Sequence, residues 1–317
     1  MRTLITGAGG FVGRALVAAL AARAASTDEI VATDIAAPPT PPPGNVRWRT
    51  AQLDDPAALS ALTATRFDRI VHLATVAGVG SQRFDLGRMT NLVATQNLLE
   101  AARSSERPPR FVYSSSVGVF GPPLPNMVDD ATLPVPANSY GTHKLVSELL
   151  IDDYSRAGLI EGLALRLPGV LARPRGSTTM LSAFLSDVFY AARDGAAFDL
   201  PMAPGDGSWA MSLHCVIANL LRALEMPAEE LPARRYWTAP AILLRMDALV
   251  AALGRAYGPA NVARIGFAPN PVTRAMFAQP PLSAEGAVRL GMIGDGDADG
   301  LVRNVIAGEP ALAPLPN

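Results

Sequence analysis

The chain has one cysteine, Cys215, among 317 residues. That excludes an internal disulfide framework and fits a reducing compartment. Histidine is nearly as scarce. His72, His143 and His214 are scattered without metal-ligand spacing, so no metal is expected. Charge of neither sign dominates: a formal net charge of −1 leaves no broad basic surface for nucleic acid or an anionic membrane. No apolar run approaches the ~20 residues needed to span a bilayer. The opening Met1–Gly7 reads as a strand entering a glycine turn, without the apolar core and cleavage site of a signal peptide. A soluble, cytoplasmic protein is expected.

What is present is alternation. Short β-branched or apolar runs recur at Thr3–Thr6, Ile30–Asp34, Val46–Arg49, Arg69–Ala74, Arg110–Ser115 and Gly162–Leu167. Between them lie Ala/Leu-rich stretches, chiefly Phe11–Ala25, Pro56–Thr63, Met89–Arg103 and Tyr140–Ala157. A parallel sheet with crossover helices requires that order. After Pro168 the pattern loosens. A Gly/Arg segment (Gly169–Ser177) precedes helical runs at Thr179–Arg193, Leu213–Leu224 and Met246–Ala256. The expected division is residues 1–168, with about 210–240 returning, as the nucleotide-binding domain, and 169–209 with 241–317 as a smaller one.

Two low-complexity stretches read as plain loops. Ala36–Gly44 is proline-rich and stiff. Asp295-Gly-Asp-Ala-Asp-Gly300 starts like an EF-hand loop, but Ile306 falls where the bidentate acid belongs, so an exposed acidic turn is expected.

Thr6-Gly7-Ala8-Gly9-Gly10-Phe11-Val12-Gly13 follows the first strand and opens the first helix. Gly7 permits the tight turn, Gly10 lets backbone approach a pyrophosphate, and Gly13 lets the helix pack close to the sheet. Amides of the helix N-terminus, including those of Phe11 and Val12, then face phosphate. Asp34 ends the second strand, where a carboxylate accepts hydrogen bonds from ribose hydroxyls. No Arg or Lys follows at Ile35, Ala36 or Ala37, so NAD rather than NADP is the expected cofactor.

Tyr140 and Lys144 are four apart and share a helix face. Ionising a free tyrosine, with pKa about 10, near neutrality costs about 4 kcal/mol. A positive charge ~4 Å away offsets roughly that amount at an effective dielectric of ~20.

Several spaced motifs occur in order: the glycine motif, Val71-His72-Leu73-Ala74, Asn91, Tyr113-Ser114-Ser115-Ser116-Val117-Gly118-Val119-Phe120-Gly121, and Tyr140-Gly-Thr-His-Lys144. Together they resemble the extended short-chain dehydrogenase/reductases, the group that includes nucleotide-sugar epimerases, over roughly residues 1–170. The resemblance implies an α/β fold: a Rossmann-type doubly wound parallel sheet with a smaller mixed α/β substrate domain. It also implies a catalytic set of Ser116, Tyr140 and Lys144. Tyr140 would act as base, Lys144 would lower its pKa and hold the nicotinamide ribose, and Ser116 would bond the reacting oxygen. Cofactor contacts are implied for Gln52, Leu53, Leu73, Ala74, Asn91 and Pro168 as well as Tyr140 and Lys144. Asn91 resembles the family's helix-kinking Asn, which implies support of the active site through backbone and water contacts; a plain helix cap is the competing role. The family's use of helices like Met89–Arg103 and Tyr140–Ala157 for dimerisation implies a homodimer.

The second half departs from the epimerases. Their Arg-Asp-Phe-Val-His-Val-x-Asp segment appears here as Trp209-Ala-Met-Ser-Leu-His-Cys-Val216, and their Leu-Arg-x-x-Asn as Leu165-Arg166-Leu167-Pro168-Gly169. Both changes weigh against a nucleotide sugar. Ala172-Arg173-Pro174, Ser182-Ala183-Phe184, Trp209 with Ser212, and Pro281–Gly291 are similar to the D-erythronate dehydrogenases. That similarity implies NAD-dependent oxidation of the 2-hydroxyl of a small sugar acid. A hydroxy acid needs a cationic clamp, and Arg supplies two parallel hydrogen bonds. Arg173 is the first candidate, Arg175 the second, and a surface or interdomain salt bridge is the competing role of Arg173. Thr75 and Ser81, after the fourth strand, are candidate substrate contacts. A uronate dehydrogenase, a nucleotide-sugar epimerase and a non-catalytic NAD-binding module stay open as alternatives.

Overall fold

The computed structural model describes residues 1–38, 40–104, 107–174 and 181–314. Seven strands form the central sheet: β1 (Arg2–Thr6), β2 (Glu29–Asp34), β3 (Val46–Thr50), β4 (Arg69–His72), β5 (Arg110–Ser116), β6 (Glu161–Leu167) and a late strand, Tyr236–Thr238. The order runs from Tyr236–Thr238 through β6, β5, β4, β1 and β2 to β3. Every neighbouring pair is parallel. The chain therefore steps outward from β1 to β3 and then returns to place β4 on the other side of β1. Ligands of open α/β sheets bind at such a switch point, beyond the carboxyl ends of the strands. β1, β2 and β5 are nearly continuously buried, as strands covered on both faces must be.

Helices α1 (Phe11–Arg23), α2 (Pro56–Thr63), α3 (Phe84–Arg88), α4 (Ala94–Arg103) and α5 (Ser139–Arg156) connect these strands. One apolar cluster joins Leu4, Val31, Ile70, Phe111 and Ala164 of the sheet to Leu59 and Leu62 of α2, Leu98 and Leu99 of α4, and Ile151 of α5. Each such large apolar side chain contributes about 1.5–3 kcal/mol when fully buried. Local signals set the helix starts. Asp55 accepts from the Ala57 and Ala58 amides ahead of α2, with Pro56 in the first helical position. Asn138 does the same for α5 by accepting from Gly141 N.

Two expected boundaries move. The fourth strand stops at His72 rather than Ala74. The helix expected over Met89–Arg103 opens on a π-helical turn at Met89–Val93 that runs on from α3 and continues into α4. The reason is Asn91, whose side chain is committed to a loop outside the helix, the one that follows β4.

The chain divides into two compact units, Met1–Pro122 with Leu133–Leu167 and Asn219–Thr238, and Pro123–Thr132 with Pro168–Ala218 and Ala239–Asn317. The short piece 123–132 belongs with the second because Val128 bridges Leu282 and Asp130 accepts from Gly286 N. The second unit has a three-stranded sheet of Gly169–Val170, Gly207–Met211 and Ile242–Arg245, and a parallel pair, Phe198–Leu200 with Ile265–Phe267. Its core gathers Phe189, Leu200, Leu244, Leu249, Leu253 and Leu301, among others. The helix expected from Thr179 runs over Phe184–Asp194, its expected start lying outside the described residues, as does Arg175. Among the described residues no helix is long and apolar enough to cross a membrane.

Asp295 corrects the expected exposed acidic turn. It is buried, accepts from Ser212 N and Asn304 Nδ2, and meets the Cys215 thiol, while Asp297 caps the helix Ala298–Gly308. A carboxylate bonded this way braces the start of the Leu213–Glu225 helix. Burial pushes the Cys215 thiol up to about 11, which keeps it an unreactive packing group. Among the described residues no cluster of His, Cys, Asp or Glu could hold a metal.

Candidate active site

The glycine turn leaves β1 with Gly7 at φ +67°, the left-handed region that disfavours a side chain. A Cβ there would also lie 2.6 Å from Ala74 N, and one on Gly13 would lie 2.1 Å from the Gly7 carbonyl oxygen. The first glycine lets β1 and the loop after β4 touch; the last lets α1 pack onto the turn. Gly10, the residue capping α1, brings no side chain to its N-terminus, and a Cβ on it would meet only the Gly7 oxygen. Phe11 and Val12 of the first turn are half-buried. Asp34 stands at the end of β2 and accepts from Gly9 N (2.9 Å) and Ile35 N (2.7 Å). It therefore braces the turn, and each oxygen keeps a second lone pair for a ribose hydroxyl. This cradle fits a dinucleotide: backbone is laid open where a pyrophosphate would sit, with a carboxylate at the adenosine end.

The other expected cofactor residues divide. Leu73 is buried and Ala74 half-buried at the end of β4, beside the glycine turn. Leu53 is buried in the core of the first unit, whereas Gln52 is exposed. Pro168 follows β6 and begins a segment of the second unit.

Asn91 is not a helix cap. Its Oδ1 accepts from Val76 N (2.7 Å) and Thr75 Oγ1 (3.0 Å), and its Nδ2 donates to Val76 O (2.8 Å). The side chain thus clamps the loop after β4, and the π-turn carries it there. Thr75 commits its hydroxyl proton to Asn91. Ser81 donates its own to Gly78 O, closing its 3₁₀ turn.

The serine triplet ends β5. Ser114 Oγ donates to His72 O and Ser115 Oγ to Glu148. Ser116 caps the following 3₁₀ turn, its Oγ accepting from Gly118 N at 3.0 Å. Gly118 is flanked by both Ser116 and Tyr140. A Cβ on it would lie 3.3 Å from Ser116 Oγ and 3.5 Å from Tyr140 Cδ1. The start of α5 packs as tightly, since a Cβ on Gly141 would lie 2.1 Å from Gly118 O.

One turn along α5, Lys144 is buried and donates from Nζ to Ser114 O at 2.7 Å. Nζ lies 4.6 Å from the Tyr113 ring centroid and 5.7 Å from that of Tyr140. Burial draws its pKa down to about 7, opposed by the Glu148 carboxylate one further turn along. Glu148 is itself buried and paired with Arg166 through three hydrogen bonds of 2.7–3.1 Å. The Arg166 guanidinium lies 5.0 Å from the Phe120 ring centroid and 4.9 Å from that of Tyr236.

Sequence reasoning missed Glu148 and Arg166. The signal for Glu148 was available, because Tyr140, Lys144 and Glu148 recur at helical spacing. Arg166 stands at the Arg of the family's Leu-Arg-x-x-Asn segment, but its partner, eighteen residues away in sequence, was not legible there.

Arg173 belongs to the second unit, half-buried, with Nε 3.4 Å from Val170 O and its amide directed at Ser186 Oγ. Ala172, just before it, has φ +58°, the one left-handed non-glycine residue among those described. Trp209, where the epimerases carry Arg, is buried and donates from Nε1 to Pro280 O.

Comparison with known proteins agrees with this geometry. Residues 3–211 match the model of the NAD dependent epimerase/dehydratase family. The D-erythronate dehydrogenase of Cupriavidus necator is 33% identical over 96% of this chain and 97% of its own. That of Haemophilus influenzae is 34% identical over 84% and 86%. A crystal structure described as a nucleoside-diphosphate-sugar epimerase from Agrobacterium tumefaciens superposes with a TM-score of 0.91 at 28% identity, covering 99% of this chain and 95% of that one. On its glycine cradle, its serine–tyrosine–lysine cluster and these matches, the chain belongs to the NAD dependent epimerase/dehydratase family.

Proposed function

We propose that this protein is an NAD-dependent dehydrogenase that oxidises the 2-hydroxyl of a small sugar acid, D-erythronate before others, to the 2-oxo acid. The observation that carries the reading is that Ser116 and Tyr140 both flank Gly118, with Lys144 buried one turn along the same helix. Similarity to D-erythronate dehydrogenases over nearly the whole chain supports the substrate class.

Bound NAD supplies the hydride acceptor. Gly10 and the amides at the start of α1 would hold the pyrophosphate, Gly7 and Gly13 shaping the turn that carries them, and Asp34 would take the adenosine ribose hydroxyls. With no Arg or Lys at 35–37 to meet a 2′-phosphate, the site favours NAD. Ser116 Oγ donates to the substrate oxygen, orienting it towards Tyr140. The Tyr140 phenolate takes the hydroxyl proton as the C2–H bond breaks and the C2 carbonyl forms. Lys144 stabilises that phenolate with its charge, and the Glu148 carboxylate favours the charged form of the buried amine against the effect of burial. Arg173 binds the substrate carboxylate through its guanidinium.

Likeness to the Agrobacterium protein, described as a nucleoside-diphosphate-sugar epimerase, raises a second reading, nucleotide-sugar epimerisation. The buried Trp209 offers no charge where those enzymes carry an arginine for diphosphate. A homodimer through α4 and α5 belongs to the same proposal; Leu149, on α5, is exposed.

The test is purified enzyme with NAD or NADP and a panel of sugar acids, sugars and UDP-sugars, followed by reduced-cofactor absorbance. NADH is expected from D-erythronate with little from hexuronates. Tyr140→Phe should bind NAD and lose turnover by at least about 100-fold. Isomerisation of a UDP-sugar with no net NADH, or near-normal turnover in Tyr140→Phe, would overturn the reading.

A further inference from the structure

Beneath the cofactor cradle lies a chain of buried polar groups that the proposed chemistry does not use. His72, at the end of β4, is completely buried, as are Thr6 and Thr95, and Asn91 is nearly so. His72 Nδ1 lies 2.6 Å from Thr6 Oγ1, and its Nε2 lies 2.9 Å from Thr95 Oγ1. Thr6 Oγ1 in turn accepts from Ala74 N at 3.3 Å, and Thr95 Oγ1 donates to Asn91 O at 2.9 Å.

Donor arithmetic assigns the ring. A threonine hydroxyl has one proton. Thr95 gives its proton to Asn91 O, so it must accept from His72, and Nε2 carries the hydrogen. Nδ1 is then the acceptor and takes the Thr6 proton, leaving Thr6 Oγ1 to accept from Ala74 N. The sequence reads Ala74 N–H to Thr6, Thr6 O–H to His72, His72 N–H to Thr95, and Thr95 O–H to Asn91. The opposite tautomer would displace the Thr6 proton from His72 and take the Thr95 proton from Asn91 O. A doubly protonated ring would place a second cation near the buried Lys144. Burial and the Lys144 charge together hold the His72 pKa down to about 3, in keeping with a neutral ring. Its ring stacks on Tyr113 at 5.5 Å, and the Tyr113 ring in turn meets Lys144 Nζ.

We propose that His72, as the neutral Nε2–H tautomer, is a positioning residue that locks the loop after β4 into the wall of the dinucleotide site. Each end of the chain meets that wall. Thr6 immediately precedes Gly7, and its hydroxyl holds Ala74, the residue that Gly7 approaches too closely for any Cβ. Asn91, at the other end, holds Thr75 and Val76 with its side chain. One imidazole therefore ties the glycine turn, the loop 74–76 and the π-turn into a single unit. The proposal rests on the dinucleotide reading of the cradle, but not on which alcohol is oxidised.

The first measurement is nitrogen NMR of the full-length protein with ¹⁵N-labelled histidine. Only three pairs of signals are involved, and His72→Gln identifies the one of interest. The expected result is protonated Nε2 and bare Nδ1, unchanged from about pH 5.5 to about pH 8.5, a range in which an ordinary histidine titrates. A bare Nε2, or titration within that range, overturns the assignment. The second measurement is NAD affinity by calorimetry alongside the steady-state KM for NAD and kcat. His72→Phe keeps a ring and removes both bonds, whereas His72→Gln keeps one acceptor and one donor. NAD binding should weaken about tenfold or more in His72→Phe and largely recover in His72→Gln. A merely structural histidine would lower the melting temperature and leave the NAD affinity of the folded protein unchanged, which would overturn the positioning role. If His72→Phe does not fold, His72→Gln and the tautomer still decide the matter. Wild-type protein that binds NAD but oxidises no sugar acid would sink the proposed function and leave this inference standing. Failure to bind NAD at all would overturn both.

Discussion

Replacing Lys144 by methionine should make the cofactor-free protein more stable and inactive. The side chain is completely enclosed, and burial draws its pKa from the ordinary 10.5 down to about 7. Below about pH 7 the folded and unfolded chains both carry the proton, and the folded chain bears the full penalty of a buried cation. Between about 7 and 10.5 the unfolded chain binds a proton that the folded chain has released, so the penalty fades as pH rises. The gap between 10.5 and about 7 corresponds to about 5 kcal/mol. Methionine fills similar space without the charge. It also forfeits the bond from Nζ to Ser114 O, which offsets about 1–3 kcal/mol of that gain. Lys144→Met should therefore be more stable than wild type by about 2–4 kcal/mol at pH 6, and by progressively less towards pH 10. Urea unfolding of both proteins across that range, followed by tryptophan fluorescence, reads the difference directly. A variant less stable than wild type at pH 6, or a difference that ignores pH, would refute the reasoning. Turnover should be lost at every pH, because the charge beside Tyr140 is gone.

Two further substitutions probe the supports of the site. Gly13→Ala would set a methyl 2.1 Å from Gly7 O and 2.8 Å from Ala8 Cα, both backbone, so the turn must open. A loss of about 1–3 kcal/mol in unfolding free energy, with NAD binding weakened at least tenfold in a titration, is expected; unchanged NAD affinity would contradict the cradle. Glu148→Gln leaves the buried Arg166 cation uncompensated and should cost about 3–5 kcal/mol in denaturant unfolding. Glu148→Leu combined with Arg166→Met should recover most of that stability, and a double variant no better than the single one would argue against the pair.

Much of this protein was legible in the residue order because the signals concerned are local. Strands covered on both faces have to be apolar along their length, so β1, β2, β5 and β6 stood out as short runs. A turn that passes under phosphate has to dispense with Cβ atoms, which singled out Gly7, Gly10 and Gly13. Helical spacing alone put Tyr140 and Lys144 on one face, and the Asn138 cap fixes where that face begins.

Tertiary structure decided what depends on groups far apart in the chain. Met89–Arg103 has the pattern of a regular α-helix, yet it opens on a π-turn at Asn91, whose side chain is bonded to Thr75 and Val76. Arg166 had no legible partner until Glu148 met it across the fold, and His72 acquired a tautomer only between Thr6 and Thr95. The left-handed backbone of Ala172 and the buried Asp295 were equally invisible. Periodicity and turn chemistry act over a few residues and can be read one segment at a time. A buried polar group is settled by its partners, and those are assembled only when the chain has folded.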